Sequence, residues 1–174
     1  ILAKAASFET AHAPSQGRIT RTTMRLERIS GANHQHTSLG SVVVVQDSAT
    51  PLMYISAQVP SGSETWTVSE RSQVTGALLH LVLADASVSP ALVQYLTNQQ
   101  WIPDVSTAEF RRLVGARGSS DTVVQHEAGV YRLQYPFASG HPSGIAEATL
   151  TVNEEDYSPS SLSIVTSAAS GAQE

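Results

Sequence analysis

Three consecutive carboxylates, Glu154, Glu155 and Asp156, are the first residues in the chain whose types could support metal binding or acid–base chemistry. A calcium loop places acidic ligands at alternate positions and has a glycine at its sharp turn. Here the acids are adjacent, so neighbouring side chains point apart, and no glycine follows them. With Pro159 close behind, the segment predicts a β-hairpin turn in which Tyr157 folds back on the sheet.

His34 and His36 form a second candidate site, because an H-x-H pair on a strand directs both imidazoles to one face. Zinc sites use such pairs with a third ligand from elsewhere. The surrounding segment, SGANHQHTS, is typical of a surface loop, and we expect no Cys, Asp or Glu close to the pair. We therefore predict no cofactor and no metal. His34 and His36 are the alternative ligands if the protein is a metal-dependent hydrolase, and His36→Ala would then abolish metal binding.

The sequence motifs of common enzyme classes are missing from the chain. It contains no G-x-S-x-G, S-x-x-K, H-E-x-x-H, G-x-G-x-x-G or phosphate-binding loop signature. The segment GHPSG, residues 140–144, fails the spacing of a nucleophile elbow. We therefore predict that the protein is not an enzyme.

Four of the ten basic residues bracket one predicted strand: Arg18, Arg21, Arg25 and Arg28. Arg21 and Arg25 share a polar face with Glu27. Such a stripe could meet an acidic partner or anionic headgroups, although a mixed-charge strand face is more typical of a solvated surface. The net charge of −5 argues against nucleic acid as a partner, because phosphate binding requires a basic surface.

The length and composition of the chain are typical of one domain with a single hydrophobic core. The chain has 174 residues, of which 41% are hydrophobic and 14% charged, and no cysteine that could form a disulfide. The longest apolar run, Ala77 to Ala84, is far shorter than the roughly 20 residues that span a bilayer. We predict one domain over residues 1–166, followed by a flexible tail over residues 167–174.

The predicted elements run in the order helix, four strands, two or three helices and four strands. The strand pattern is clearest from Arg18 to Ile29 and in the hairpin from Ile145 to Val165, where apolar and polar residues alternate. Ser89-Pro90 and the capping box from Ser106 to Glu109 each predict the start of a helix, the second ending at Gly115. The apolar segment that contains Ala77 to Ala84 favours a buried helix. This order indicates an α+β fold.

The element order resembles a known family. An amphipathic helix enters a strand meander (ILAKAASFETAHA…RITRTTMRLERI), a helical insertion follows, and a hairpin closes the chain (IAEATLTVNEEDYSPSSLSIV). This order is similar to the periplasmic lipoprotein-carrier fold, which is shared with the sigma-E regulatory protein that binds an anti-sigma factor. It also resembles the extracytoplasmic domains of bacterial membrane-anchored anti-sigma regulators.

The resemblance implies an unclosed half-barrel of about eight antiparallel strands, with the N-terminal helix and the helical insertion on its concave face. In the carriers this concavity holds acyl chains, whereas the regulators bind a protein. Small inward candidates favour a filled core or protein binding over lipid transport; they are Thr20, Thr22, Ala146 and Ala148. The side chains expected to line the helix–sheet cavity are Met24, Leu26, Leu92, Tyr95, Leu96, Trp101, Phe110 and Leu113.

The sequence therefore predicts a non-catalytic extracytoplasmic sensor or partner-binding domain of a bacterial regulatory membrane protein. Its partner would be a protein or a hydrophobic ligand, and a membrane tether would lie outside this segment. The partner would enter the helix–sheet cleft or pair with a sheet edge. The alternatives are a periplasmic carrier of lipid or lipoprotein that uses the same cavity, and a metal-dependent hydrolase.

Overall fold

The computed structural model describes residues 1–13, 17–30, 35–50, 52–59, 62–68, 97, 104–138 and 145–166. The chain divides into two compact units. One, the terminal unit, combines Ile1–Ala13 with Pro103–Glu174, and the other, the inserted unit, is Pro14–Ile102. The helices predicted around Ala77 to Ala84 and after Ser89, and the tail over residues 167–174, lie outside the described residues.

The inserted unit contains a four-stranded antiparallel meander, as the chain order predicted. Asp47 turns the chain between the second and third strands, since its Oδ1 accepts a 2.9 Å hydrogen bond from the backbone N–H of Ala49. Short connections of this kind favour pairing between consecutive strands. The strands are β1 (Ile19–Ser30), β2 (Gln35–Asp47), β3 (Met53–Val59) and β4 (Gly62–Val68).

Strand β1 has the alternation that its sequence predicted. Thr22, Met24 and Leu26 are half-buried, while Arg21 and Arg25 are exposed. The inward expectation for Thr20 was wrong, because this residue lies at the strand end, where its side chain is exposed and its hydroxyl donates to the Gln46 carbonyl at 3.4 Å. Among the side chains described in this unit, the buried apolar ones lie on β2 and β3: Val42, Val44, Met53, Ile55 and Ala57.

The terminal unit contains two helices and a second antiparallel sheet. Its elements are α1 (Leu2–Ala11), α2 (Thr107–Asp121), β5 (Val123–Glu127), β6 (Val130–Pro136), β7 (Ile145–Asn153) and β8 (Pro159–Thr166). The sheet has the order β5-β6-β7-β8. Helix α1 contacts α2, and α2 contacts β6 and β7. The core residues between them are Ala5, Phe110, Val114, Leu133, Ala148, Leu150 and Val152.

The structure supports the predicted α+β class and the antiparallel pairing, but not every detail of the expected fold. The described strands form two four-stranded sheets, neither of which closes, so a single curved sheet of about eight strands is not confirmed. The assignment of residues 1–166 to one domain stays a prediction.

Gly115 has φ 71° and ψ −179°, which are not helical values, so the first helical segment of α2 ends there as predicted, and a second segment continues beyond this kink to Asp121. The inward expectation for Ala146 requires correction. The pairing of β7 with β8 shifts register between Ile145 and Glu147. Because a bulge changes which face a residue occupies, Ile145 and Ala148 are buried while Ala146 is only half-buried.

Of the two hydrogen bonds of the predicted capping box at the start of α2, the one accepted by the Ser106 side chain is present. The Ser106 hydroxyl accepts a 3.1 Å hydrogen bond from the Glu109 N–H. The Glu109 carboxylate, only 4% exposed, forms a two-pronged ion pair with Arg112, with N···O distances of 2.9 Å and 2.6 Å. The buried acid is thereby neutralised within its own helix, as an i,i+3 pair allows.

A second cap comes from α1. The Glu9 carboxylate accepts hydrogen bonds from the Thr107 backbone N–H, at 3.0 Å and 3.2 Å from its two oxygens, and from the Thr107 hydroxyl. Thr107 is 2% exposed, so water cannot easily replace the carboxylate. A negative charge at a helix N-terminus is also favoured by the helix dipole. Glu9 therefore fixes the first helix of the chain to the beginning of α2.

We expect Glu9→Ala to lower the free energy of unfolding by about 2 kcal/mol, because it leaves two buried donors of Thr107 unsatisfied. Urea denaturation followed by circular dichroism measures this change. Thr10→Ala is the matched control, since its exposed hydroxyl bonds only to the Ala6 carbonyl among the described groups, and its effect should stay within about 0.5 kcal/mol. Equal effects of the two substitutions would contradict the capping role of Glu9.

Candidate functional site

The eight residues predicted to line a cavity separate into three groups. Met24 and Leu26 are half-buried on β1 of the inserted unit. Phe110 is fully buried in the terminal unit, and Leu113 packs against the same core. The remaining four lie outside the described residues: Leu92, Tyr95, Leu96 and Trp101. Phe110 and Leu113 are thus core side chains, and the cavity itself stays a prediction.

His36 lies in strand β2 and not in the loop that the sequence predicted. Its Nδ1 is 2.8 Å from Oε2 of Glu27 on the neighbouring strand, so the expectation of no acid close to it was wrong. The β1–β2 register pairs Ile29 with His36, which brings Glu27 within reach. His34 lies outside the described residues, and among those that are described no group of three His, Cys, Asp or Glu could hold a metal.

The acidic segment is a hairpin turn between β7 and β8, as predicted. The Asn153 N–H donates to the Ser158 carbonyl at 2.9 Å, and the Tyr157 N–H donates to the Asn153 carbonyl at 3.1 Å. Tyr157 adopts a positive φ of 62°. The Ser158 N–H donates to Asp156 Oδ1 at 2.8 Å, and hydrogen bonds with Ser158 lower the pKa of the Asp156 carboxyl below its ordinary value of 3.8.

A row of side chains connects this turn to α1 and to β5. Lys4 Nζ donates to the Tyr157 hydroxyl at 3.0 Å, a hydrogen bond that raises the pKa of Lys4. The Tyr157 ring lies parallel to Tyr131, and Tyr131 stacks on His126 with ring centroids 4.7 Å apart. His126 Nε2 is 3.0 Å from Glu154 Oε2. These contacts connect α1, the β7–β8 turn and strand β5.

Strand β5 is an edge of its sheet, since among the described strands it pairs only with β6. All five of its residues are exposed. Val123 and Val124 retain 49% and 51% of their accessible surface. Because successive side chains of a strand point to opposite faces, one valine is exposed on each face of the sheet.

The turn between β5 and β6 determines which residues of β5 form backbone hydrogen bonds with β6. Ala128 and Gly129 connect β5 to β6 with φ of 44° and 82°, the positive values that a two-residue type I′ turn requires. The flanking pair, Glu127 and Val130, therefore exchanges backbone hydrogen bonds, and bonded pairs alternate with non-bonded pairs from there. The backbone N–H and C=O groups of Val124 and His126 consequently point away from β6, towards the open edge.

Protein edges are usually protected by lysine, proline or a bulge. The sequence of β5, VVQHE, contains neither lysine nor proline, and its pairing with β6 shows no register shift. The sequence predicted four strands after the helices but no site on the first of them. The available signal was the pair of adjacent valines, which cannot both face the core of a half-buried strand.

Comparison of the chain with protein-family models, with curated proteins and with solved structures found no match. Within the described part of the chain, no helix is long and apolar enough to cross a membrane.

We expect Ala128→Asn to raise the free energy of unfolding by about 1 kcal/mol, because asparagine tolerates positive φ better than alanine. Gly129→Ala should lower it by a similar amount. An added Cβ at Gly129 would meet no atom within 4 Å, so backbone conformation alone causes the loss. Urea denaturation measures both changes, and the absence of any effect from either variant would contradict the type I′ turn.

The lowered pKa of Asp156 predicts a specific dependence of stability on pH. Its ionised form stabilises the fold above the ordinary carboxyl pKa, and this contribution disappears as pH falls through the lower pKa of the folded state. Asp156→Asn keeps an oxygen acceptor for the Ser158 N–H but does not titrate. The variant should therefore lose less thermal stability than the wild type upon acidification below about pH 4.

Thermal unfolding recorded by circular dichroism across the acid range tests this prediction. Glu155→Gln is the control, because it removes the adjacent exposed carboxylate, for which no hydrogen bond is shown among the described residues. If Asp156→Asn and the wild type have parallel acid profiles, Asp156 does not stabilise the turn through its ionised form.

Proposed function

We propose that this chain is a non-catalytic domain that binds a protein partner by strand addition at β5. The observation that carries the proposal is an edge strand whose five residues are all exposed and whose outward backbone groups have no strand opposite them in the described structure. In strand addition, backbone hydrogen bonds provide affinity and alternate side chains provide specificity. The resemblance of the element order to extracytoplasmic regulator domains supports a regulatory protein of the bacterial envelope.

The two exposed valines would add apolar contact to these hydrogen bonds. Val124 lies on the same face as its cross-strand neighbour Leu133, which is 2% exposed, so the apolar surface continues outward from the core. Covering the exposed half of each valine would contribute about 1 kcal/mol per residue. A strand of five residues offers a small interface, so we expect affinity on the order of micromolar, typical of a transient regulatory contact.

The structural use of the titratable side chains supports a role without catalysis. Glu109 pairs with Arg112, and His126 pairs with Glu154. His36 pairs with Glu27 on the neighbouring strand. In an active site, we would expect such groups to converge on one cleft.

Selection of random linear peptides displayed on phage tests the proposal, with Val124→Pro as the counter-target. The Val124 N–H points away from β6, so proline at this position leaves the β5–β6 hydrogen bonds intact, as proline at a sheet edge generally does. We expect peptides that bind the wild-type chain and lose binding to Val124→Pro. Circular dichroism must first show that the variant remains folded.

Val124→Thr is the matched variant, because it retains the N–H and the branched shape and replaces one methyl group with a hydroxyl. Its affinity for the selected peptides should fall about two- to fivefold. Peptides that bind Val124→Pro as tightly as they bind the wild type would show that they bind elsewhere on the molecule. A selection that yields no specific peptide would count against strand addition.

A further inference from the structure

We infer that the strand that pairs with β5 belongs to a basic partner. Its Lys or Arg residues would lie at the end of that strand nearest the β5–β6 and β7–β8 turns. This inference rests on the proposed function and specifies the chemistry of the partner. Strand addition alone would accept any extended segment. The charges around one end of β5 restrict the choice.

The C-terminal end of β5 lies beside two turns that contact each other. The backbone N–H of Glu154, in the β7–β8 turn, donates to the Gly129 carbonyl of the β5–β6 turn at 2.9 Å. The His126–Glu154 pair adds a side-chain connection between them. Together the turns present four exposed carboxylates: Glu127, Glu154, Glu155 and Asp156.

The positive side chains shown at this end balance these acids only in part. Arg132 NH1 is 3.4 Å from Glu127 Oε2, and both side chains are about half exposed. Lys4 is directed at the Tyr157 hydroxyl. Among the described side chains at this end, four carboxylates stand against two cations when His126 and His12, which acts on Asp156, are neutral, so an excess of two negative charges remains. Because all four acids are exposed, they remain accessible to a cation from a partner.

A second copy of this chain is a poorer occupant of the edge than a basic strand. Each copy carries a net charge of −5 and would bring its own acidic turns to the contact. Like charges across an interface oppose association. A five-residue strand pairing also covers less than the roughly 1,000 Å² typical of a stable dimer. A basic partner, by contrast, is attracted by the same field, which raises its rate of encounter.

Three synthetic peptides test the inference. Each has the same core of alternating threonine and valine, flanked on both sides by lysine, serine or glutamate. Fluorescence anisotropy with the full chain measures their affinities at low and high salt. We expect the lysine peptide to bind about tenfold more tightly than the serine peptide, and the glutamate peptide to bind most weakly. Salt should reduce these differences, because exposed charges are screened.

The double substitution Glu127→Gln/Glu155→Gln should weaken binding of the lysine peptide about three- to tenfold and leave the serine peptide unchanged. Arg111→Gln is the control for net charge. Arg111 is exposed on α2, outside the two turns, so its removal should alter neither affinity. Tighter binding of the lysine peptide to Arg111→Gln, which makes the net charge one unit more negative, would indicate a nonspecific response to total charge and would overturn the inference.

The outcomes also separate this inference from the proposed function. If all three peptides bind equally and Val124→Pro abolishes binding, strand addition stands and the basic partner is wrong. If the lysine peptide binds Val124→Pro as tightly as the wild type, charge attracts it without strand pairing, which also overturns the inference. Sedimentation of the wild type as a dimer that Val124→Pro dissociates would identify a second copy as the occupant.

Discussion

The terminal unit depends on the hydrogen bonds between the Glu9 carboxylate and the first turn of α2. The chain leaves this unit after Ala13 and re-enters it at Pro103, so α1 must be held by contacts across a long sequence separation. Apolar packing of Ile1, Leu2 and Ala5 against the core provides buried area, but such contacts are not directional. The carboxylate and the buried Thr107 donors supply the directional contact that fixes α1.

Once α1 is fixed, its exposed side stabilises the end of the sheet at which β5 begins its turn. Lys4 contacts Tyr157, and stacked rings continue through Tyr131 to His126 on β5 itself. An edge strand that pairs on one side only is prone to local opening. The row of contacts counters this tendency at the C-terminal half of β5, so the open edge is presented as a formed strand. A preformed edge reduces the entropy lost when a partner binds.

Local patterns in the sequence were sufficient for several elements. The alternation in β1, the cap at Ser106 and the β7–β8 turn depend on residues within a few positions of each other, and each was predicted. The division into two sheets was not, because it depends on which strands pair and not on which segments are strands. The bond from Glu9 to Thr107 was also missed, since an acid in a short helix carries no signal of a partner 98 residues away.

The open edge of β5 was also not predicted, because it too depends on which strands pair. The acidic residues beside it explain how the fold can tolerate an edge without lysine or proline. Exposed valines on an edge promote pairing with another copy of the chain. Lysine within the strand would prevent this but would also repel a basic partner. Acidic turns at the end of β5 oppose self-pairing by like charge while attracting the opposite charge. Specificity is a difference between two affinities, so one group of carboxylates can both weaken self-association and strengthen the proposed complex with a basic strand.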